Sequence, residues 1–253
     1  MTMSREPKPL SLAWGLWFNF WVGVLTFFGG ILAILSTFLD PRGSLSHLVG
    51  RWWARTLLFV GRIPVKVSGL EYLAPGQTYV FAANHRSNVD IFALFAVLPG
   101  RFLWVAKKEL FKIPIFGQAL HLMGSVPIDR DNLPAAIRSL NHAAAKVRAG
   151  TSMIIFPEGT RVPKPALQPF KKGVLIMAWK AGQPLVPVSI NGTFFIQPRG
   201  ALRMRPGPVK VILGPPIYPQ NFRRQEELMN AVLHGIAANY DPDFPYGPAA
   251  ADG

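Results

Sequence analysis

The chain of 253 residues contains no cysteine. A disulfide framework, a thiolate metal site and a cysteine acyl-enzyme are therefore excluded. Acidic residues are also few: 13 Asp and Glu stand against 27 Lys and Arg, which gives a formal net charge of +14. This excess of positive charge predicts attraction to a polyanion, which could be nucleic acid, anionic lipid or a phosphorylated substrate.

Several common functional motifs are missing as well. The sequence has no G-x-x-x-x-G-K-[ST] phosphate loop, no H-E-x-x-H zinc helix and no G-x-S-x-G nucleophile elbow. No cluster of residues suggests a metal site. The chemistry must therefore rest on other residues.

Charge is absent from residues 10–39, where Asn19 is the most polar side chain. A helix over this run would measure roughly 45 Å, which is enough to cross a hydrocarbon core, and it exceeds the apolar region of a signal peptide. Gly23 and the pair Gly29 and Gly30 could bend the helix. A spanning helix and a helix buried in one leaflet both remain open.

A second helix is predicted over residues 44–62, where apolar and basic residues recur at helical spacing. Arg51, Arg55 and Arg62 group together, which favours an amphipathic helix lying on an anionic surface. The alternative is a helix packed against the rest of the protein. We assign residues 1–63, with both helices, to a membrane-docking unit.

The basic residues that flank the apolar run are unequal in number. Arg5 and Lys8 precede it, and four arginines follow it up to residue 62. Since cytoplasmic segments carry the excess of positive charge, we expect the following domain at the cytoplasmic face of the inner membrane.

From residue 65 onward, strand-like and helix-like segments alternate, which predicts the α/β class with a mixed, mostly parallel sheet flanked by helices. The strand candidates are residues 65–68, 79–83, 102–106, 126–128, 152–156, 185–190 and 209–213. The helix candidates are residues 88–97, 115–122, 133–149, 172–181 and 223–238. We assign residues 64–240 to this domain and residues 241–253, rich in Pro, Gly and Ala, to a loose tail.

The stretch FAANHRSNVD, residues 81–90, places a histidine where a strand ends and a carboxylate in the first turn of a helix. There Asp90 can bond one imidazole nitrogen of His85 and leave the other free to take a proton, as a general base requires. An alternative stands beside this interpretation. Ser87 followed by Asp90 resembles a helix cap, and the helix dipole alone favours an acidic residue in a first turn.

A second candidate stretch, MIIFPEGTRV, ends a strand with a proline and a glycine turn. Gly159 permits a tight turn with exposed N–H groups, and Arg161 can fork onto phosphate oxygens. Glu158 would repel phosphate, so we expect it to hold Arg161 or to accept from a substrate hydroxyl. The alternative is an ordinary turn with a surface arginine.

Further basic residues occupy positions that line the carboxyl edge of an α/β sheet. Lys107 and Arg130 follow predicted strands, and Lys171 stands at a helix entrance. Each alone is typical of a solvated surface. Together they predict an anionic substrate.

Four blocks of this chain resemble, in order, those of the 1-acyl-sn-glycerol-3-phosphate acyltransferases of the glycerolipid acyltransferase superfamily. They are NHRSNVD (84–90), GSVPIDR (124–130), FPEGTR (156–161) and VPVSI (186–190). The phrase PFKKG (169–173) is similar as well, and the resemblance covers residues 65–213.

The resemblance implies acyl transfer from acyl-CoA or acyl carrier protein to lysophosphatidate, giving phosphatidate, with no cofactor besides the acyl donor. It implies that His85 is the base and Asp90 its orienting partner. It assigns Arg130 to the phosphate and Pro187 to the acyl pocket. The residues matched to glycerol-phosphate binding are Glu158, Gly159, Thr160 and Arg161. The expected partners are these substrates and an anionic lipid bilayer, without nucleic acid.

Other functions remain open. The same chemistry could act on a lyso-ornithine lipid or another lysophospholipid, and a hydrolase could use His85 and Asp90 to activate water. A non-catalytic membrane-binding relative is a third alternative, against which the intact His85, Asp90 and Arg161 count. Nucleic-acid binding is disfavoured, because the basic residues lie beside tryptophan-rich apolar segments and no reader motif occurs.

Overall fold

The computed structural model describes residues 9–162, 164 and 166–246. It begins with two helices, α1 (Leu12–Leu39) and α2 (Ser44–Val60). Ser11 caps α1 because its hydroxyl accepts from Trp14 N at 3.2 Å. Asp40 in the connecting turn accepts from Leu45 N at 2.9 Å, which satisfies a free N–H group in the first turn of α2.

A seven-stranded sheet follows, in the order β1-β7-β6-β2-β5-β3-β4. The strands β1 and β7 run parallel to each other and antiparallel to the other five. The strands are β1 (Val65–Ser68), β2 (Val80–Ala83), β3 (Phe102–Lys107), β4 (Val126–Ile128), β5 (Ser152–Ile155), β6 (Leu185–Asn191) and β7 (Val209–Leu213). The predicted mixed, mostly parallel sheet is therefore confirmed.

Six more α-helices complete the part of the chain that the structure describes. They are α3 (Val89–Val97), α4 (Phe116–Leu122), α5 (Leu133–Arg148), α6 (Lys172–Ala181), α7 (Thr193–Ile196) and α8 (Gln225–Ala237). All strands and helices predicted from the sequence occur, with ends within two residues of the predicted ones. The short α7 was not predicted.

The sheet separates two hydrophobic cores. On one face, Phe81 and Ala83 of β2 point toward α1, α2 and α3. On the other face, Val80 and Ala82 point toward α5, α6 and α8. All four residues of β2 are buried, as expected for a central parallel strand that is covered on both sides.

The helix α2 packs between α1 and α3, contrary to the expectation that its arginines face an anionic surface. Arg51 donates to Leu98 O at 3.1 Å, and Arg55 donates to Ala96 O at 3.3 Å. Both guanidinium groups thereby satisfy carbonyls at the C-terminal end of α3, where the helix dipole favours positive charge. The alternative interpretation, a helix packed on the protein, applies. The exposed face of α2 is apolar and carries Leu45, Leu48, Trp52 and Phe59.

The helix α1 lies along the α/β domain. Near its start, Ser11 pairs with Met204 in a short antiparallel bridge. Past its midpoint, a Cβ at Gly30 would collide with Ile115, so the two segments touch. Among the described helices, α1 alone is long and apolar enough to cross a membrane by length and composition. Its outer face exposes large apolar side chains, including Leu16, Trp17, Phe20, Phe27, Phe28, Leu35 and Phe38.

The first part of the expected loose tail packs against the domain. Asp241 N donates to Asn191 Oδ1 at 2.8 Å, and the ring of Tyr246 meets Phe195 edge-on with centroids 5.4 Å apart. The remaining tail, residues 247–253, lies outside the described residues.

Candidate active site

The site begins where β2 ends. Asn84 is fully buried. Its Nδ2 donates to Ile190 O of β6 at 2.8 Å, and its Oδ1 accepts from Ile190 N at 2.7 Å. The side chain thus replaces backbone pairing at the point where the chain leaves the sheet. The next residue, His85, is held at the carboxyl edge.

His85 and Asp90 are paired. Nδ1 of the imidazole lies 2.8 Å from Asp90 Oδ2, and Asp90 is completely buried in the first turn of α3. The same oxygen accepts from the backbone N–H groups of Arg86 at 2.7 Å and Ser87 at 2.9 Å. Both interpretations of the sequence therefore apply to Asp90. It accepts from backbone N–H groups at the start of α3, as a helix cap does, and it orients His85. Within the described part of the chain, Nε2 of His85 has no hydrogen-bond partner.

The capping arrangement expected of Ser87 and Asp90 is present, because Ser87 Oγ accepts from Val89 N and Ser87 N donates to Asp90 Oδ2. Asn88 is the N-cap residue of α3 and makes no capping bond through its side chain. The buried Ser87 hydroxyl accepts from Val89 N at 3.2 Å and donates to Gln197 O at 2.7 Å. Ser87 therefore ties the loop of His85 to the segment after α7.

An aromatic wall sets the plane of the imidazole. The His85 ring stacks on Phe156, with centroids 3.8 Å apart and an interplanar angle of 11°. Phe156 in turn stacks on Trp104 at 5.9 Å. Sequence reasoning missed this wall, although an aromatic residue directly after β5 was a signal for it.

Glu158 does not hold Arg161, contrary to expectation. Its buried carboxylate accepts from Arg86 Nη1 at 2.7 and 2.8 Å, from His85 N at 3.1 Å and from Gln168 N at 3.2 Å. The side chain has no exposed surface with which to meet a substrate. In this arrangement the carboxylate of Glu158 joins the first block to the third.

Arg86 was also missed from the sequence, because an arginine between two polar residues is typical of a surface. It is among the largest fully buried side chains, with 1% exposure. Besides Glu158, its guanidinium donates to Ala166 O at 3.0 Å and to the Tyr240 hydroxyl at 3.2 Å. Burial raises the pKa of Tyr240 above its ordinary value.

Arg161 is held beside the histidine loop. Gly159 permits the turn with a φ of 74°, and Lys171 covers it so closely that a side chain there would collide with the lysine. Arg161 Nη1 donates to Asn88 Oδ1 at 2.8 Å, and Arg161 O accepts from Arg199 Nη1 at 3.0 Å. Burial lowers the pKa of Arg161, and the charge of Arg199 lowers it further.

One cavity joins these groups. Its volume is about 680 Å³, within the range of small-molecule sites. One end is lined by His85, Thr160 and basic residues, and the other lies against β4, β5 and α5 and is apolar. The apolar lining there consists of Ile128, Leu133, Ala136, Ile137, Leu140 and Ile155. The helices α1 and α2 close one side, so the cavity lies next to the exposed apolar faces of both helices.

The charges around the cavity are of one sign. Among the described residues that line it, five carry a positive charge and none is Asp or Glu. The five are Lys107, Arg130, Arg161, Lys171 and Arg199. The first four were predicted, although Lys107 also approaches Glu109 at 3.5 Å. Arg199 lies outside all four blocks and was missed.

Pro187 does not line the cavity, in contrast to its expected role in an acyl pocket. It lies in the middle of β6, where Gly214 and Gly235 leave room for its ring. A side chain on either glycine would collide with that ring. Pro187 therefore contributes to packing between β6 and α8.

Comparisons with known proteins agree with this geometry. Residues 64–191 match the family model described as Acyltransferase. The 1-acyl-sn-glycerol-3-phosphate acyltransferase of Cocos nucifera is 35% identical over 216 residues, which are 85% of this chain and 69% of that protein. The chain belongs to the 1-acyl-sn-glycerol-3-phosphate acyltransferase family. The resemblance stated from the four blocks is confirmed.

Two further relatives of this acyltransferase cover nearly its whole length. The chloroplastic enzyme LPAT1 of Arabidopsis thaliana is 31% identical over 243 residues, covering 93% of this chain and 67% of that protein. The crystal structure of the 1-acyl-sn-glycerophosphate acyltransferase PlsC from Thermotoga maritima superposes with a TM-score of 0.81 at 29% identity. That match covers 90% of this chain and 93% of the other.

Proposed function

We propose that this acyltransferase moves a fatty acyl group from acyl-CoA or acyl carrier protein to the free hydroxyl of lysophosphatidate, giving phosphatidate. The supporting observation is the His85–Asp90 pair at 2.8 Å, which opens into a cavity with a cationic end and an apolar end. An acceptor that carries both a phosphate and an acyl chain fits such a cavity. The names of the relatives support the same acceptor.

In the proposed mechanism His85 is the general base. Nδ1–H donates to Asp90, so Nε2 carries the lone pair that takes the proton from the acceptor hydroxyl. The oxygen attacks the thioester carbonyl, the tetrahedral intermediate expels the thiolate, and His85 returns the proton to the thiolate sulfur. Asp90 stabilises the imidazolium between these steps. No nucleophile of the enzyme is needed, which suits a chain without cysteine.

The positive groups around the cavity would bind phosphate. Arg161 supplies a guanidinium fork, and the turn supplies the backbone N–H of Thr160, since that of Gly159 is bonded to Phe156 O at 2.9 Å. Lys107, Lys171 and Arg130 extend the charge along the sheet edge for the phosphates of acceptor and donor. Glu158 acts indirectly, by holding Arg86 and the backbone of His85 in place.

The two N-terminal helices would dock the enzyme on the membrane. Because α1 touches the domain at its start and again past its midpoint, burial in one leaflet suits it better than a separate crossing. Its exposed apolar side chains and those of α2 would enter the lipid. We place the domain at the cytoplasmic face of the inner membrane, where docking excludes water from the thioester.

The test uses purified protein on vesicles of zwitterionic and anionic lipid, supplied with lysophosphatidate and oleoyl-CoA. Wild-type protein should form phosphatidate, and His85→Ala should lower the rate by about 10²–10⁴-fold, the usual contribution of a general base. His142→Ala is the matched control, since His142 is exposed on α5 and does not line the cavity. Vesicle binding should be equal in all three proteins.

Parallel reactions separate the alternatives. Acyl carrier protein loaded with oleate replaces oleoyl-CoA in one series, which identifies the preferred donor. Product on a lyso-ornithine lipid or lysophosphatidylcholine, but not on lysophosphatidate, would contradict the proposed acceptor. Release of free fatty acid without phosphatidate would indicate a hydrolase. Vesicle binding with no turnover of any donor would indicate a non-catalytic relative.

A further inference from the structure

Arg199 lies in a turn after α7, outside the blocks that identify the family. Its side chain lines the same cavity as His85 and Arg161. Its Nη1 donates to Arg161 O at 3.0 Å, which places the Arg199 guanidinium beside the backbone of Arg161. The turn closes through Ala201 N, which donates to Pro198 O at 3.1 Å.

The turn is fastened to the histidine loop. The carbonyl of Gln197 accepts from the Ser87 hydroxyl at 2.7 Å, and Gln197 Nε2 donates to Ala201 O at 3.2 Å. Gln197 and Ser87 are both buried. His85 lies only two residues before Ser87. The turn that carries Arg199 is therefore held at a fixed position relative to His85.

Arg161 and Arg199 repel each other. The charge of Arg199 is the second cause, after burial, that lowers the pKa of Arg161. Within the described part of the chain neither guanidinium forms an ion pair, and the recorded side-chain partner of Arg161 is the neutral amide of Asn88. The charge of Asp90 raises the pKa of Arg161, but less strongly than Arg199 lowers it. A bound anion would relieve the repulsion that remains.

A polar recess lies directly beside this pair. It has a volume of about 200 Å³ and is lined by Asn19 of α1, by Asn88 and Arg161, and by the neighbours of Arg199 in its turn, but not by Arg199 itself. Asn19 is the most polar residue of the apolar run, and its carboxamide lies half-buried here. The recess shares Asn88 and Arg161 with the large cavity, which Arg199 and His85 line, so an anion between the two arginines would lie where the two spaces meet.

We propose that Arg199 is a second phosphate-binding residue, which binds the acceptor's phosphomonoester together with Arg161. The inference rests on the proposed function and names the group that recognises its acceptor. A phosphomonoester carries close to two negative charges and three acceptor oxygens. Two guanidinium forks on one such group supply matching charge and several charge-assisted hydrogen bonds.

The sheet order separates Arg199 from Lys107 and Arg130. The Arg199 turn follows β6, on one side of β2, whereas Lys107 and Arg130 follow β3 and β4 on the far side of β5. Arg199 should therefore affect the acceptor and leave the donor unaffected.

Steady-state kinetics of Arg199→Gln and Arg199→Lys test the proposal. Arg199→Gln should raise the KM for lysophosphatidate roughly tenfold or more, the effect of losing a charged hydrogen bond, while the KM for oleoyl-CoA stays the same. Arg199→Lys should recover part of the loss because it keeps the charge. Turnover of monoacylglycerol, which has no phosphate, should not change. Arg203→Gln is the matched control, since Arg203 is exposed nearby and does not line either cavity.

A second readout does not require turnover. Wild-type protein and the three variants are titrated with a water-soluble six-carbon lysophosphatidate by calorimetry. Weaker binding in Arg199→Gln than in wild type and Arg203→Gln, with Arg199→Lys in between, supports the proposal even if wild-type protein forms no phosphatidate, in which case the proposed function fails separately. Equal binding in wild type and Arg199→Gln overturns the proposal. The proposal is also overturned if Arg199→Gln loses turnover of monoacylglycerol to the same extent, which would show a structural role, or if it raises the KM for oleoyl-CoA.

Discussion

Replacing Glu158 by glutamine removes the charge that neutralises Arg86 and keeps the shape of the side chain. The carboxylate receives hydrogen bonds from Arg86, His85 N and Gln168 N, with lengths from 2.7 to 3.2 Å. A carboxamide has one acceptor oxygen and turns its NH₂ group toward groups that are themselves donors. Arg86 would then lie buried without an opposite charge.

The expected loss of unfolding free energy is about 3 kcal/mol, the lower end of the range of about 3–5 kcal/mol for breaking a buried ion pair. The lower end applies because Arg86 keeps neutral acceptors, which include His85 O and Ala166 O at 3.0 Å and the Tyr240 hydroxyl at 3.2 Å. These contacts hold its position without offsetting its charge. Activity should fall as well, because the loop of His85 loses its backbone acceptor.

Urea unfolding in detergent, followed by tryptophan fluorescence, measures the loss. Glu71→Gln is the matched control, since Glu71 is exposed, and should shift stability by no more than about 0.5 kcal/mol. The double variant Arg86→Met, Glu158→Leu should regain most of the stability, because apolar replacement of a buried pair is often neutral. Its activity should stay low. A loss below about 1 kcal/mol in Glu158→Gln would refute the reasoning, since that is the range of exposed pairs.

Three further substitutions test other parts of the structure. Ser87→Ala removes the hydroxyl bond to Gln197 and should raise the KM for lysophosphatidate severalfold without changing that for oleoyl-CoA; equal KM values would contradict a fixed turn. Ala136→Phe fills the apolar end of the cavity and should abolish turnover of oleoyl-CoA while sparing octanoyl-CoA; unchanged chain-length preference in a donor series would place the acyl chain elsewhere. Burial lowers the pKa of His47 from its ordinary 6.5, so the folded state binds fewer protons and stability should fall as the pH drops below about 6.5. Urea titrations should give a lower free energy of unfolding at pH 5.5 than at pH 7.5, and His47→Gln should remove this difference. Higher stability at pH 5.5 would mean that a protonated ring bonds Phe102 O, which lies 2.6 Å from Nε2.

The elements of the fold were predictable because glycine and proline interrupt the hydrophobic pattern at their ends. The partner of α2 was not. A helix with one basic and one apolar face suits a lipid surface and a protein surface equally well, and here Arg51 and Arg55 reach the end of α3. Periodicity shows which face of a helix is apolar but not what covers the other face.

The local part of the site was predictable for a similar reason. His85 and Asp90 are five positions apart across a strand-to-helix turn, and the geometry of that turn alone brings them together. Glu158 was assigned the wrong partner, because Arg86 lies 72 positions away and their pairing depends on β2 and β5 being neighbours. Arg199, which reaches Arg161 from 38 positions along the chain, depends on tertiary structure in the same way.

The position of α1 bears on the energy of substrate delivery. Thr26, Gly29, Gly30 and Ala33 of this helix line the cavity, and the opposite face of the same helix carries the exposed apolar side chains. Moving a sixteen-carbon chain through water would cost on the order of 12 kcal/mol, at about 0.8 kcal/mol per methylene. A chain that slides past α1 from one apolar medium into another avoids that barrier. With α1 in the lipid, the rate of supply would depend on lateral diffusion in the membrane and not on escape from it.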